Sequence, residues 1–158
     1  MDIIPITRDG FEKLKKELEY LKHVAVPENV RDIEEARAHG DISENAEYEA
    51  AKERQAFLHG KIQEINNNLA HSRIIAPEEI TDEKIVFGTT VEIEDINTDE
   101  TIRYQLVGPL ESNLEENKIS VTSPIGRALI GKKIGDEVKV RTPGGLREFE
   151  VIDITVEL

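Results

Sequence analysis

Residues 51–69 read AKERQAFLHGKIQEINNNL, a stretch in which one side chain in every three or four belongs to a repeating seam. The members of the seam are Ala51, Gln55, Leu58, Ile62, Ile65 and Leu69. Residues at these steps line up along one narrow side of an α-helix, which is wide enough to bury against a single partner helix. We therefore predict a long helix here that packs in a coiled coil.

An earlier stretch carries a matching seam, made of Phe11, Leu14, Leu18, Leu21 and Ala25. In an antiparallel hairpin the residue numbers of facing partners add to a constant. Four pairs taken from the two seams obey one such constant: Leu14–Leu69, Leu18–Ile65, Leu21–Ile62 and Ala25–Leu58. The match predicts an antiparallel helical hairpin with arms of about 50 Å. Its turn falls near residues 41–42, where Gly40 is a natural helix stop.

Two residues of the first arm predict local features. Thr7 is a candidate N-cap, because its hydroxyl can accept a hydrogen bond from the first turn of the helix. Pro27 lies inside the arm, where proline removes a helix hydrogen bond and clashes with the preceding turn. We expect a kink or a short break at Pro27.

The second half of the chain alternates between apolar and polar residues, as strands do. The predicted strands are residues 86–94, 101–107, 137–141 and 149–154, with a turn at Thr142–Gly145 and a short helix at residues 124–130. The predicted fold class is α+β. An N-terminal antiparallel coiled-coil hairpin (residues 1–76) precedes a small antiparallel β domain with one short helix (residues 77–158).

Composition narrows the possible functions of this 158-residue chain. It has no cysteine, which excludes disulfides and thiolate zinc sites. Its net charge of −13 disfavours unaided binding to nucleic acid duplexes, so any such contact should be local or arranged by a partner. No apolar stretch approaches the roughly 20 residues that span a bilayer, and the N-terminus lacks the pattern of a signal peptide. We expect a cytoplasmic protein with no membrane contact.

The predicted turn, GDISENAEY at residues 40–48, carries two carboxylates three residues apart, Asp41 and Glu44. Mg²⁺ prefers oxygen ligands and often takes only one or two from protein carboxylates. Two acids on an exposed turn are too few to hold Mg²⁺ tightly, but they can complete a site on another molecule. Asp-x-x-Glu is also a capping box, with Asp41 as N-cap and Glu44 reaching back. Both interpretations are open.

The turn and several later segments resemble the Gre family of transcription elongation factors. The segments that carry the resemblance are Gly40–Glu53, Ile119–Gly131, Thr142–Gly145 and Phe149–Val151, together with Ile4–Thr7 and Gly10. The resemblance implies a factor that binds RNA polymerase and itself catalyses nothing. Its C-terminal domain, similar in fold to FKBP prolyl isomerases, would dock on the rim of the secondary channel. The hairpin would reach inward, and the polymerase would then cleave the extruded 3′ RNA of a backtracked complex.

The resemblance also implies roles for individual residues, which are carried over by position. Asp41 and Glu44 would help to hold a Mg²⁺ ion shared with the polymerase active site, with no cofactor bound tightly by the chain itself. Ser43 would orient water or substrate, and Arg37 and Lys52 would contact the extruded RNA. Ser123, Pro124 and Ile125 would form the polymerase-docking segment.

Three other functions fit parts of the sequence. A Gre-like paralogue would share both domains but inhibit RNA polymerase by occupying the channel. A prolyl isomerase with a coiled-coil appendage would need an aromatic pocket, and the second half offers only Phe87, Tyr104 and Phe149. A coiled-coil adaptor would use the hairpin without chemistry. We expect the polymerase-binding factor to be a monomer.

Overall fold

The computed structural model describes residues 3–39 and 45–158. Contacts divide the chain into a helical unit, residues 11–71, and a sheet unit, in which residues 3–10 join residues 72–158. The sequence pattern predicts a single domain boundary, after Ala76. In the structure the N-terminal segment belongs with the second half of the chain, because its strand pairs with a strand that follows the helices.

The helices are those that the seams predict. They are α1 (Arg8–Tyr20), a π-helical segment (Leu21–Ala25), α2 (Val26–Ala38) and α3 (Ala46–Ala70). Thr7 caps α1 as predicted, since its Oγ1 accepts a hydrogen bond from the Gly10 N–H at 3.1 Å. No helix within the described ranges is long and apolar enough to cross a membrane.

Pro27 changes the helix without interrupting it. The backbone is π-helical over Leu21–Ala25, and the Val26 N–H bonds to the Leu21 carbonyl, five residues back. A π-turn inserts one extra residue into the helix and is a common cause of local distortion. Where a kink or break was predicted, the backbone forms a π-helical segment instead, and α2 continues from Val26.

The two seams form one hydrophobic cluster in the helical unit. Its buried residues are Leu18, Leu21, Ala25, Leu58 and Ile65, with Leu14, Val26, Ile62 and Leu69 packed against them. All eight residues of the four predicted pairs are among these. The predicted antiparallel pairing of the helices is therefore confirmed.

A buried asparagine lies between the helices, and the seams did not predict it. Asn29 is 2 % exposed, and its Nδ2 donates a hydrogen bond to the Ala51 carbonyl at 2.9 Å. A buried amide is costly unless it is hydrogen-bonded, so it favours the one register that supplies its partner. Asn29 thus helps to select the observed alignment of α2 with α3.

The sheet unit contains seven strands. They are β1 (Ile4–Ile6), β2 (Ser72–Ile74), β3 (Thr89–Asp95), β4 (Thr101–Val107), β5 (Lys118–Ser120), β6 (Glu137–Thr142) and β7 (Gly145–Val156), with α4 (Pro124–Leu129) after β5. Five of them form a sheet in the order β5-β4-β3-β7-β6. Every pair in it is antiparallel except β4 with β5. The predicted α+β fold with a mostly antiparallel sheet and one short helix is confirmed.

The strand predicted at residues 86–94 starts later than the alternation suggests. Gly88 has a φ of +88°, a conformation that ends a turn and does not continue a strand, so β3 begins at Thr89. The strands β1, β2 and β5 were not predicted at all. Each has three residues, which is too short for alternation to be visible.

Strands β1 and β2 form a separate parallel pair. Glu111 holds the N-terminal segment by hydrogen bonds to Thr7. The Glu111 carboxylate accepts hydrogen bonds from the Thr7 N–H, at 3.0 Å, and from the Thr7 hydroxyl. The backbone also approaches closely here, because a Cβ on Gly108 would lie 2.1 Å from the Pro5 carbonyl oxygen. These contacts fix the segment from which α1 starts.

Asp95 organises the turn between β3 and β4. It is about 4 % exposed, and its carboxylate accepts hydrogen bonds from Arg147 on β7 and from the Asn97 and Thr98 N–H groups. The hydrogen bond from Arg147 is the main cause of a lowered pKa for Asp95, with the Asn97 N–H next, and burial opposes them.

The helical seam predicts that two neighbouring residues contribute very differently to the free energy of unfolding. Leu58 is 1 % exposed and Phe57 is 64 % exposed. Leu58→Ala should lower the free energy of unfolding by about 2–5 kcal/mol, because it leaves a cavity in the cluster. Phe57→Ala, the matched control, should change it by less than about 1 kcal/mol. Urea unfolding followed by helical circular dichroism measures both, and equal losses would contradict the buried seam.

Replacing Asp95 by asparagine should destabilise the protein at neutral pH but not in acid. A carboxyl whose folded pKa lies below the ordinary 3.8 stabilises the fold above that value. This contribution disappears as the pH falls through the lower folded pKa. The difference in urea midpoint between wild type and Asp95→Asn should therefore be full near pH 7 and shrink below about pH 4. Asp82→Asn, at an exposed aspartate, controls for net charge, and a difference that stays constant into acid would contradict the assignment.

Candidate functional site

The predicted catalytic residues fall between the ends of two helices. α2 ends at Ala38 and α3 begins at Ala46. Asp41, Ser43 and Glu44 lie outside the described residues, so their predicted roles stay predictions. Within residues 3–39 and 45–158, no group of three or more His, Asp or Glu side chains could hold a metal ion.

The N-cap of α3 is Asn45. Its Oδ1 accepts a hydrogen bond from the Tyr48 N–H at 3.1 Å, and its backbone is extended, as an N-cap requires. The capping-box interpretation needed a helix that starts just after Asp41. α3 starts at Ala46 and Asn45 supplies its cap, so Asp41 is not the N-cap of α3.

The same asparagine also bonds to the other helix. Its Nδ2 donates to the Ala36 carbonyl in the last turn of α2, with 2.7 Å between the two atoms. A single side chain thus joins the end of α2 to the start of α3.

Two weaker contacts join the same helix ends. The Arg37 guanidinium lies 5.8 Å from the centre of the Tyr48 ring, within the range of a cation–π contact. The His39 Nδ1 lies 3.4 Å from the Glu47 Oε2, and both side chains are largely exposed. An exposed pair of this kind contributes little by itself. The three contacts of Asn45, Arg37 and His39 together connect α2 to α3 at the end of the hairpin.

The two predicted RNA contacts are both exposed in the helical unit. Arg37 lies in the last turn of α2, and its contact among the described residues is with the Tyr48 ring. Lys52 lies on α3 and donates a hydrogen bond to the Gln55 Oε1 at 2.7 Å. Both cations are therefore accessible, and a depression on the same two helices is lined by Asp32, Glu35 and Glu47 together with Arg54.

The predicted docking segment lies at the start of α4, and its three residues differ in role. Ser123 is the N-cap of α4, because its Oγ accepts from the Gly126 N–H at 3.1 Å and donates to the Ser120 carbonyl at 2.6 Å. Ile125 packs partly against the core of the sheet unit. Only Pro124 is exposed, so it is the member of the segment most available to a partner.

An apolar depression lies beside this segment, and sequence reasoning missed it. It is lined by Val86, Phe87, Val121, Arg127 and Ile130 and has a volume of about 380 Å³. Two of its members flank the docking segment in sequence, Val121 before it and Ile130 after it. Val86 and Phe87 were predicted as strand, but they are half-buried residues that precede β3.

Comparison with known protein families accounts for both halves of the chain. A family model described as "Transcription elongation factor, N-terminal" matches residues 4–74. A second, described as "Transcription elongation factor, GreA/GreB, C-term", matches residues 80–156. The chain belongs to the GreA/GreB family of transcription elongation factors. The resemblance seen in the sequence is thereby confirmed.

Individual relatives of this family are similar over nearly their whole length. The transcription elongation factor GreA of Syntrophus aciditrophicus is 66 % identical, over 99 % of this chain and 97 % of that protein. GreA of Neisseria meningitidis serogroup A is 55 % identical, over 98 % of each. Among solved structures, GreA factor homolog 1 (Gfh1) of Thermus thermophilus is 32 % identical, over 98 % of this chain and 99 % of that one, with a TM-score of 0.45.

The cap of α4 predicts a stability effect that is separate from docking. Ser123→Ala removes the side-chain acceptor at the helix start and should destabilise the sheet unit by about 1 kcal/mol. Ser123→Asn keeps an acceptor and should retain most of that stability. Urea unfolding of both variants measures the difference. If Ser123→Ala is as stable as Ser123→Asn, the hydroxyl does not stabilise α4, which would contradict its predicted contribution as a cap.

Proposed function

We propose that this protein enters the secondary channel of RNA polymerase and stimulates the polymerase to cleave backtracked 3′ RNA, which returns arrested complexes to elongation. The observation that carries the proposal is the match of both halves of the chain to the GreA/GreB family. A slender helical hairpin with carboxylates at its turn supports it, because such a shape suits a narrow channel.

The sheet unit provides the proposed docking surface. Pro124 is exposed at the start of α4, and the apolar depression lies next to it. Apolar surface at the centre of a patch with a charged side chain at its edge is typical of protein interfaces, and Arg127 supplies that charge. We place the contact with the polymerase rim here.

Asp41 and Glu44 supply the chemistry in this proposal. The donor set fits Mg²⁺, since carboxylate oxygens are its preferred protein ligands and one or two suffice when other ligands come from elsewhere. When bound, Mg²⁺ stabilises the negative charge on the attacking and leaving oxygens of the phosphodiester. Asp41 and Glu44 would hold the ion jointly with the polymerase, and Ser43 would orient the attacking water.

Arg37 and Lys52 would contact the extruded RNA. Each is exposed, and a guanidinium or an ammonium pairs well with phosphate oxygens. The neighbouring acids would limit this attraction, so the contact should guide the RNA without holding it tightly. The protein would act as a cytoplasmic monomer without a tightly bound cofactor, and hydrolysis would take place in the polymerase.

A cleavage assay on a reconstituted backtracked elongation complex tests the proposal. The arms are no factor, wild type, and the double variant Asp41→Asn with Glu44→Gln. Wild type should accelerate 3′-end cleavage, and the double variant should lose most of that acceleration, by about tenfold or more, while binding the polymerase as well as wild type. A tenfold loss corresponds to about 1.4 kcal/mol of transition-state stabilisation.

A matched control separates the position of the charges from their number. Asp82→Asn with Glu83→Gln makes the same change in net charge at two exposed neighbours in the sheet unit, and it should cleave like wild type. Inhibition by the wild-type protein would overturn the proposal and identify a channel-blocking paralogue. Full activity of the double variant at Asp41 and Glu44 would keep the family but remove these residues from the mechanism.

A further inference from the structure

The hydrophobic cluster of the helical unit does not reach the end of the hairpin. Its last members are Val26 on the first arm and Leu58 on α3. From there to the helix ends, the buried residues are only Asn29, Ile33, Ala36 and Ala51. Among these four only Ile33 is a large apolar side chain, and small or polar side chains bury little apolar area, so this end has less apolar contact to hold the helices together. Specific contacts must therefore set the separation of the helices at this end.

Asn45 makes the most specific of these contacts. The last four carbonyls and the first four N–H groups of a helix lack partners within that helix. The Asn45 side chain bonds to one of each, since it accepts from the Tyr48 N–H of α3 and donates to the Ala36 carbonyl of α2, which also accepts from the His39 N–H at 3.3 Å. An amide can do this because it carries an acceptor and a donor on one rigid group.

We propose that Asn45 is a positioning residue for RNA cleavage. By joining α2 to α3 it fixes the separation of the two helix ends from which residues 40–44 start and finish. This inference rests on the proposed function, because it matters to cleavage only if Asp41 and Glu44 act there. Asn45 itself touches neither metal nor RNA in this proposal.

The neighbouring contacts support the same arrangement. Arg37 lies over the Tyr48 ring and His39 pairs with Glu47, so both connect residues on the two sides of the same turn. Each is weak and exposed, whereas the two Asn45 bonds have the length of ordinary hydrogen bonds, at 2.7 and 3.1 Å. Asn45 is thus the contact whose loss should change the separation most. A misplacement of about 1 Å can cost a reaction about a hundredfold in rate.

Asn45→Asp separates positioning from helix capping. Aspartate is as good an N-cap as asparagine, so it keeps the bond from the Tyr48 N–H. It has no N–H to give to the Ala36 carbonyl, and its negative charge disfavours that oxygen. Asn45→Ala loses both bonds. Asn113→Asp is the matched control, because Asn113 caps a short 3₁₀ turn in the sheet unit through the same type of acceptor.

The first measurement is the cleavage rate at saturating factor, with the Mg²⁺ concentration for half-maximal rate and the affinity for polymerase. Asn45→Asp should cleave about tenfold more slowly at saturation and need more Mg²⁺, while it binds polymerase within about twofold of wild type. Asn113→Asp should match wild type in all three. A normal rate for Asn45→Asp at saturation would overturn the positioning role.

The second measurement is independent of cleavage. The chain has no cysteine, so Ala38→Cys and Ala46→Cys can carry spin labels on the two exposed helix ends. Asn45→Asp should broaden or shift the distance distribution between the labels relative to the parent. An unchanged distribution would overturn the inference whatever the cleavage assay gives. A changed distribution in a protein whose wild type stimulates no cleavage would instead refute the proposed function and leave Asn45 as the link between the helices.

A purely structural role is tested against Asn29. Asn29→Asp removes the other asparagine bond between the helices, at a buried position away from the turn. It should lower the thermal midpoint of the helical signal more than Asn45→Asp does, yet cleave normally at temperatures where it is folded. If the two variants lose activity only in proportion to their stability, Asn45 has no positioning role.

Discussion

The helical unit depends on one constraint, a narrow apolar seam on each of two helices. A seam of one residue in three or four can be buried against a single partner helix and nothing wider. Leu18, Leu21, Leu58 and Ile65 meet this constraint and form the centre of the cluster. Because no further layer of side chains is needed, the unit can be long while its cross-section stays close to that of two helices.

The same constraint explains why polar contacts matter so much at the turn. A thick core would fix the end of the hairpin through many apolar contacts, but a two-helix unit has only its seam. Where the seam gives way to Ala36 and Ala51, individual hydrogen bonds must define the geometry. Asn29 and Asn45 both donate to a carbonyl of the opposite helix, and each is an amide with a specific partner. The Asn45 bond lies at the turn itself, whereas the Asn29 bond lies further along the helices and favours their register.

The sequence predicted those parts of the fold that arise from repetition. The seams repeat over several turns, so the hairpin and its buried residues were visible, and β4 was predicted with its observed bounds. Three-residue strands carry no repeat, and the pairing of β1 with β2 joins residues about 70 positions apart, which no local pattern encodes. The turn at Gly88 was missed because its positive φ does not alter the alternation of apolar and polar residues in the sequence. The roles of Asn29 and Asn45 were missed because they depend on hydrogen-bond partners on the opposite helix, which the local sequence does not reveal.

The proposed site needs a second molecule, much as each helix of the hairpin needs a partner helix. Two carboxylates are too few to bind Mg²⁺ firmly, so residues such as Asp41 and Glu44 gain a chemical role only beside ligands that another molecule provides. Such a division requires the chain to deliver the acids at a defined place, and a hairpin held by a seam along its length and by Asn45 at its end meets that need. In the proposed mechanism weak metal binding by the isolated chain would be useful, because the acids would be free of metal until they reach the polymerase.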